Sequence, residues 1–290
     1  MTGQPSVALL GTGIMGLGMG HSMLRAGLPL RAWNRTPARA RALESAGAAI
    51  AATPAGAVRD ASVIVTMLAD GAAVSDVMAA AAPGLRGGQV WAQLSTVGVA
   101  GLAPLAALAR EHGLLFVDAP VLGTRQPAEQ GALTVFAAGP DAARPVVQPV
   151  FDAIGRRTVW LGAEPGTASR LKLVVNSWVL AVTTGAAEAL ALARGLDIDP
   201  ELFLQAIAGG PLDCAYLQAK AAAILSGDFS PNFTVELAGK DARLVTEAGA
   251  AAGVRLDVAA AVAARFRRAA ELGHADEDMA ATYFASFDGG

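Results

Sequence analysis

The longest apolar stretch of the chain, residues 166–194, most strongly limits what this sequence can fold into. Between Lys172 and Glu188 it carries no formal charge. Its leucine, valine, alanine and tryptophan content predicts a helix that is buried on most sides. The glycine and threonine that open it suit a break and an N-cap, and Gly195 suits a stop. The rest of the chain is therefore expected to pack around this helix.

Lys172 and Asn176 lie near the start of this predicted helix. They are four residues apart, so they share one helical face. A lysine at the head of a buried helix has two interpretations. Its stem is buried and its ammonium reaches solvent, or the ammonium is a working group with an amide one turn away. The helix by itself leaves both open.

The composition is strongly apolar for a chain with no expected membrane segment. Of the 290 residues, 53% are hydrophobic and 16% are charged. No uncharged apolar run reaches the ~20 residues that a membrane helix needs, because polar residues such as Asn176 and Thr183 interrupt the longest candidate. We therefore expect no membrane partner. Alanine-rich helices that pack on one another, and across a subunit interface, account for the apolarity.

Charge and cysteine content exclude several function classes. The net charge of −3 gives no basis for binding nucleic acid. A single cysteine, Cys214, cannot form an internal disulfide, and no charged-then-apolar leader precedes the first predicted strand, so a cytoplasmic location is expected. Three widely separated histidines and one cysteine give no basis for a Cys/His metal site. The sequence contains no GxSxG motif, so it does not support a serine hydrolase.

The N-terminal segment predicts a dinucleotide site. An apolar strand over residues 6–10 runs into GTGIMG, in which the glycines are Gly11, Gly13 and Gly16, and a helical pattern follows. The first glycine permits a tight turn, the second lets backbone approach a pyrophosphate, and the third allows close packing of helix on strand. The alternative is an ordinary glycine turn, which the strand–turn–helix context disfavours.

The second predicted strand, residues 28–33, points to NADP(H) in preference to NAD. It ends in Asn34, Arg35 and Thr36, where NAD enzymes usually carry an acid for the ribose hydroxyls. A guanidinium and a hydroxyl suit a 2′-phosphate instead. The alternative is that Arg35 is a solvated loop residue.

Further apolar strands over residues 62–68 and 89–94 suit a parallel sheet that is covered on both faces. Ligands gather at the carboxyl ends of such strands, so the loops that begin at Gly11, Asn34, Met67 and Ser95 should open on one crevice. Ser95 and Thr96 could bond a ribose or a carboxamide, or cap the next helix.

Residues 118–134, with two prolines and two glycines, predict a fixed loop between strands whose free N–H groups suit a small anionic or carbonyl substrate. The sheet should be finished by a strand (133–137), a helix (141–154) and a strand (158–161). The boundary between the two domains is then expected at 162–166. Helices are then predicted over 199–208, 215–225, 235–252, 258–272 and 276–287. Lys240 and Asp241, as neighbours in a helix, should face different directions instead of bonding to each other. The helical pattern alone favours a solvated charged face for this pair.

Five motifs in order make the chain resemble the β-hydroxyacid dehydrogenase family, most closely its glyoxylate/succinic semialdehyde reductase branch. They are GTGIMGLGM, the Asn34-Arg35-Thr36 triplet, DAPVLGTRQPAEQGAL, the Gly166–Asn176 segment with Lys172, and KDARL from Lys240. The resemblance implies an α/β fold with an N-terminal Rossmann-type doubly wound sheet (1–163), a long interdomain helix (164–195) and an all-α substrate and dimerisation domain (196–290). It further implies a homodimer or homotetramer that acts on a small-molecule substrate.

The resemblance also implies roles for individual residues. Lys172 would be the catalytic general acid/base, Asn176 would orient the substrate or the lysine, and Lys240 would approach cofactor and substrate from the second domain. The substrate carboxylate would face Leu122, Gly123 and Thr124, and Arg125 would meet a carboxylate or point to solvent. The expected cofactor contacts are Gly11, Gly13, Ile14, Met15, Gly16, Asn34, Arg35, Thr36, Met67, Leu68, Ser95, Thr96 and Lys240.

Two departures from the family pattern keep alternatives open. Leu122 replaces a loop serine that usually bonds the substrate carboxylate, so an imine reductase on the same fold is a rival, although these enzymes generally lack lysine at position 172. Val175 replaces the first of two asparagines, as in the semialdehyde reductase branch.

A non-catalytic dinucleotide-binding protein is a second rival. A decarboxylating 6-phosphogluconate dehydrogenase would need a larger helical domain and a more basic pocket.

Overall fold

The computed structural model describes residues 4–287 and divides the chain into two compact units, one up to Lys172 and one from Leu173 on. The first unit is α/β and the second is helical. This confirms the predicted fold class.

The first unit is built on a six-stranded parallel sheet in the order β3-β2-β1-β4-β5-β6. Its strands are β1 (Val7–Leu10), β2 (Leu30–Trp33), β3 (Ala49–Ile50), β4 (Val63–Thr66), β5 (Val90–Gln93) and β6 (Leu115–Asp118). The intervening helices are α1 (Ile14–Arg25), α2 (Pro37–Arg41), α3 (Pro54–Val58), α4 (Gly71–Ala81) and α5 (Gly98–Glu111), with 3-10 turns at Glu44–Ala46 and Ala82–Gly84.

The central strands are apolar throughout because both faces of the sheet are covered. Along β1, Val7 and Leu9 enter one hydrophobic core while Ala8 and Leu10 enter the other. This alternation between two buried sides is what a parallel sheet with helices on both faces requires.

The last strands form a separate sheet, which corrects the prediction that they finish the first one. β7 (Val121–Leu122) pairs antiparallel with β8 (Leu133–Ala137), and β8 pairs parallel with β9 (Gly155–Trp160) across α7 (Arg144–Ile154). The two residues of β7 are too few to have shown a strand pattern in the sequence.

Residues 118–134 are more ordered than the predicted loop. They contain β7 and a short helix, α6 (Arg125–Gln130). Pro127 lies in the first turn of α6, where a missing N–H is tolerated. Gly131 ends the helix in the left-handed conformation, at φ 67°. The prolines and glycines that suggested a loop therefore begin and end secondary structure.

The second unit is a group of helices that pack on α8 (Thr167–Gly195), the predicted apolar helix. The others are α9 (Pro200–Ile207), α10 (Ala215–Ser226), α11 (Val235–Ala251) and α12 (Asp257–Ala269). Asp199 caps α9 by accepting a hydrogen bond from Glu201 N.

The last helices differ from their predicted form. α12 passes into a short π turn, and Gly273 at φ 99° then interrupts the helical backbone. The predicted helix over 276–287 is a 3-10 helix, Met279–Ser286, which follows a cap by Asp278. A glycine in the left-handed region is what separates the two segments.

α8 is buried or half-buried on most sides, as predicted, but one side of it is exposed. On this side Val174, Trp178 and Leu192 are each more than 60% exposed, as is Leu196 in the turn that follows the helix. Within residues 4–287, α8 is the one helix long and apolar enough to cross a bilayer, a property that core helices of soluble proteins share. The expectation that no segment is long enough to cross a membrane considered only runs without a charged residue. α8 is longer than any such run because it also contains a few charged residues.

Candidate functional site

The carboxyl ends of the parallel strands bring several predicted site residues to one edge of the sheet. In the register, Leu10 lies beside Trp33 and Thr66, and Thr66 lies beside Gln93. The segments that follow these strands carry the glycine motif, the Asn34–Thr36 triplet, the Met67–Leu68 pair and the Ser95–Thr96 pair. Ligands in open α/β sheets bind at this edge.

The glycine motif makes a tight turn with space in front of it. Gly11 has φ 103°, and a Cβ on Gly16 would lie 2.1 Å from Gly11 O, so both positions require glycine. A Cβ on Gly13 would meet no atom within 4 Å. Packing within the protein therefore does not explain Gly13, whereas the close approach of a pyrophosphate does.

The start of α1 is suited to an anion. Gly13 is its N-cap and supplies no capping side chain, and the first turn, which begins with Ile14 and Met15, contains no acidic residue. The N–H groups of a first helical turn have no intrahelical acceptor and attract negative charge. These residues fit the phosphates of a dinucleotide.

Asn34 holds the glycine turn in place. Its Oδ1 accepts a hydrogen bond from Thr12 N at 3.0 Å, and its Nδ2 donates to Thr36 O at 3.1 Å. Arg35 and Thr36 are exposed, and Thr36 is the N-cap of α2 without using its hydroxyl as a cap. The guanidinium and this hydroxyl are thus presented to solvent at the edge where an adenine ribose would lie.

Ser95 orders the loop after β4. Its buried Oγ accepts a hydrogen bond from Leu68 N at 2.9 Å. The next helix, α5, has Val97 as its N-cap, so the Ser95 hydroxyl bonds the loop after β4 instead of standing at the cap position of α5. Met67 and Leu68 are partly buried and border the glycine turn, since a Cβ on Gly11 would lie 2.3 Å from Met67 O.

The predicted substrate residues lie where β7 passes into α6. Leu122 pairs with Thr134, Gly123 has φ 134°, and Thr124 is the N-cap of α6. Arg125 is exposed, and its Nε lies 2.8 Å from Glu129 Oε1 one turn along α6. Part of its guanidinium is therefore already engaged by a carboxylate of this chain.

A close contact between α1, the helix that follows the glycine motif, and α6 holds the segment of residues 122–125 in place. A Cβ on Gly18 would lie 2.9 Å from Glu129 N and 3.1 Å from Ala128 Cβ. Ser22 Oγ donates to Ala128 O at 2.8 Å. Sequence reasoning did not assign Gly18 or Ser22, because their partners lie more than 100 residues away in the chain.

A buried carboxylate holds the start of α8. Asp118, the last residue of β6, accepts hydrogen bonds at Oδ2 from the backbone N–H groups of Gly166 and Ser169, both at 2.9 Å. Its Oδ1 accepts one from Ser169 Oγ at 2.7 Å. Burial raises the pKa of Asp118, and these hydrogen bonds partly offset the rise. Asp118 thus fixes the helical turn that leads to Lys172, which is buried.

In the second unit, α8 and α11 bring Asn176, Asp241 and Lys240 together. Asn176 Nδ2 donates to Asp241 Oδ2 at 2.7 Å, and Lys240 Nζ lies 2.9 Å from Asp241 Oδ1. The prediction that Lys240 and Asp241 do not bond to each other is wrong, because the long lysine stem folds back. Asp241 is buried, so the pair is not part of a solvated charged face either. Neither Asp118 nor Asp241 was predicted as a site residue, although the quoted motifs contain both.

No group of three or more histidine, cysteine, aspartate or glutamate residues suited to a metal occurs within residues 4–287.

Two sequence profiles together cover nearly the whole chain. The NAD binding domain of 6-phosphogluconate dehydrogenase matches residues 6–162, and the NAD-binding domain of NADP-dependent 3-hydroxyisobutyrate dehydrogenase matches residues 166–285. The chain belongs to the β-hydroxyacid dehydrogenase family. This confirms the resemblance read from the five motifs, and with it a nicotinamide dinucleotide as cofactor.

Curated relatives within and around this family carry different names. The chain is 30% identical to cytokine-like nuclear factor N-PAC of Bos taurus, over 96% of the chain and 51% of that protein. It is 28% identical to glyoxylate/succinic semialdehyde reductase 2, chloroplastic, of Arabidopsis thaliana, over 96% of the chain and 78% of that protein. The chain therefore spans about half the length of the N-PAC relatives.

Solved structures of the family superpose closely. The 3-hydroxyisobutyrate dehydrogenase of Salmonella typhimurium is 27% identical with a TM-score of 0.90, over 97% of this chain and 99% of that one. The Mycobacterium tuberculosis 3-hydroxyisobutyrate dehydrogenase with L-serine is 26% identical with a TM-score of 0.86, over 99% and 100%. An imine reductase from Pseudomonas, at 23% identity and a TM-score of 0.67 over 98% and 100%, shares the fold.

Proposed function

We propose that this β-hydroxyacid dehydrogenase family member is an NADP(H)-dependent oxidoreductase with Lys172 as general acid/base. Its substrate would be a small carbonyl or hydroxy compound of the short semialdehyde, glyoxylate or 3-hydroxy acid type. The observation that carries the proposal is the Asp118 cap, which ties the turn before Lys172 to the sheet edge that also presents the glycine motif.

The residues of the glycine motif, with the start of α1, would hold the pyrophosphate of the dinucleotide. A bound nicotinamide supplies or accepts the hydride. Arg35 and Thr36 would bond the 2′-phosphate, which gives the preference for NADP(H) over NAD(H). The exposure of both side chains supports this assignment.

Lys172 would act on the oxygen of the substrate. As an ammonium it donates a hydrogen bond to that oxygen and then a proton as the alcohol forms. A lysine ordinarily has a pKa of ~10.4, so it is ready as an acid at neutral pH, which favours reduction as the working direction. Asn176 would orient the reacting groups, and the backbone at Leu122, Gly123 and Thr124 would face a substrate carboxylate.

A second candidate is the reduction of imines. Leu122 stands where the family's loop serine is expected, so the hydroxyl that would bond a carboxylate is missing. The shared fold with an imine reductase is compatible with this candidate. Lys172 favours carbonyl chemistry. A third candidate, dinucleotide binding without catalysis, is kept open by the chain's similarity to the N-PAC proteins, which are named as nuclear factors.

One assay separates the three candidates. The purified 290-residue chain is mixed with NADPH or NADH and with glyoxylate, succinic semialdehyde or a cyclic imine, and cofactor oxidation is followed at 340 nm. We expect turnover with the aldehydes and NADPH. Faster turnover of the imine would favour the second candidate, and tight NADPH binding without turnover of any compound would favour the third.

A further inference from the structure

A three-residue polar cluster in the second unit has a property that the proposed roles of its members do not use. Asn176 is 2% exposed and Asp241 is 3% exposed, so the hydrogen bond between them is buried. A buried polar pair is costly to break because each group would lose its partner without regaining water. The pair is therefore a fixed element of the site.

The chemistry of a carboxylate determines which way the amide points. An ionised carboxylate only accepts hydrogen bonds, whereas an amide has one end that donates and one that accepts. Nδ2 of Asn176 must therefore be the atom that faces Asp241. The ammonium of Lys240 lies 2.9 Å from the other carboxylate oxygen, so Asp241 stands between a cation and the amide of Asn176.

With its amino end held in this way, Asn176 turns its carbonyl oxygen to the opposite side. That oxygen can only accept, so it suits an N–H or O–H donor such as the hydroxyl of a reduced substrate or the ammonium of Lys172, four residues earlier on the same helix. It does not suit a carboxylate. An asparagine at position 241 would remove this constraint, because it could present either end to Asn176.

We propose that Asp241 is a positioning residue that fixes the orientation of the Asn176 amide, so that Asn176 serves the reaction as a hydrogen-bond acceptor. The consequence for catalysis rests on the proposed function, whereas the orientation itself does not. Two experiments keep these parts separate.

The first experiment reads the orientation directly by NMR. The sequence contains three asparagines, Asn34, Asn176 and Asn232, so labelling with ¹⁵N-asparagine gives three side-chain amide pairs in the full chain. We expect the Asn176 pair, assigned by its loss in Asn176→Ala, to exchange slowly with water. Asp241→Asn adds a fourth pair, so there the Asn176 pair is assigned by its loss in the double variant Asn176→Ala/Asp241→Asn. Its exchange should be about tenfold faster than in the wild type, as for a lost hydrogen bond to a charged group, while the Asn34 pair is unchanged. Equal exchange in both proteins would overturn the proposal.

The second experiment is a double-mutant cycle on turnover, with the best substrate from the assay above. Asp241→Asn should lower kcat about ten- to hundredfold when Asn176 is present. In the Asn176→Ala background it should lower kcat less than about threefold, because the group it positions is already gone. Equal losses in both backgrounds would show a structural role only and would contradict the proposal.

Asp278→Asn is the matched control. Asp278 is also a buried carboxylate of the second unit, and its Oδ1 lies 2.6 Å from Lys220 Nζ. Its replacement should lower the melting temperature and change kcat by the same factor in both backgrounds. If the wild-type chain turns over no substrate, the proposed function fails, and the NMR experiment still decides whether Asp241 fixes the amide.

Discussion

Lys172 is the residue on which the proposed chemistry depends most. Lys172→Ala should lower kcat on the order of 10²–10⁴-fold, the usual contribution of a positioned acid or base, with little change in NADPH affinity. Steady-state kinetics with the best aldehyde and fluorescence titration of NADPH measure the two quantities. Arg170→Ala, which removes an exposed cation from the same helix, is the control and should leave kcat near the wild-type value. Undiminished turnover in Lys172→Ala would remove the lysine from the mechanism.

Arg35 should set the cofactor preference. Arg35→Ala should raise the KM for NADPH about ten- to hundredfold, as for the loss of a charge-assisted hydrogen bond to phosphate, and leave the KM for NADH within about threefold. Arg59→Ala, which removes another exposed arginine of the same unit, should change neither. If Arg35→Ala weakens both cofactors equally, Arg35 does not recognise the 2′-phosphate.

Sequence patterns predicted residues whose role depends on local spacing and missed those whose role depends on distant partners. The glycine motif and the Lys172–Asn176 spacing are local. Asp118 could not be assigned, because its partners Gly166 and Ser169 lie about 50 residues further on. Asp241 likewise bonds Asn176, which is 65 residues away.

Among the elements, α1 and α6 should be sensitive to any added bulk between them. Gly18→Ala should lower the free energy of unfolding by about 1–3 kcal/mol, because its Cβ would overlap the backbone of α6. The substrate KM should also rise, since α6 begins directly after residues 122–124. Chemical denaturation and steady-state kinetics measure these effects.

Gly101→Ala, in α5 of the same unit, is the control for this prediction. Its added Cβ would approach no atom closer than 3.4 Å, so it should stabilise the chain by up to about 1 kcal/mol through the higher helix propensity of alanine. Equal stability changes in the two variants would show that α1 and α6 can move apart to accommodate the added methyl group at little cost in free energy.

The cap on α8 makes a prediction about pH. Because burial raises the pKa of Asp118 above 3.8, the folded chain binds its proton more tightly than the unfolded chain does. The contribution of Asp118 to stability is therefore largest below 3.8 and falls as pH rises through the interval up to the raised pKa. The unfolding free energy of the wild type minus that of Asp118→Asn should decrease over this interval. An increase would contradict the sign of the shift.

The hydrogen bonds of the cap have a separate effect. Asp118→Ala should cost about 2–4 kcal/mol at neutral pH because it leaves buried N–H groups without an acceptor. Asp118→Asn should cost less, since its oxygen can still accept from both backbone N–H groups.

Long elements were predictable and short ones were not. The boundaries of α8 and β8 lie within a residue of those expected, because an apolar helix of many turns and a strand between clear breaks carry strong patterns. β7 and α6 are held by tertiary contacts, and their prolines and glycines obscured them. The exposed side of α8 was missed because an apolar composition does not distinguish a core from an interface.

At the scale of the whole molecule, we propose a homodimer or homotetramer that covers this exposed side of α8. Val174, Trp178 and Leu192 recur at spacings that place them on one face of α8, and the exposed Leu196 follows in the next turn. Trp178→Glu should shift the chain towards monomer in light scattering coupled to gel filtration. Val99→Glu, which charges an exposed apolar position of the first unit, should not. An unchanged mass for Trp178→Glu would place the subunit contact elsewhere.

The division of the chain between Lys172 and Leu173 falls inside a continuous helix. Family members therefore cannot be recombined there as independent modules. A chimera joined at that bond would take Lys172 from one parent. It would take Asn176, and Asp241 that we propose orients it, from the other parent. Exchange of halves between relatives would then succeed only where both parents have compatible residues in the helical turn that contains the junction.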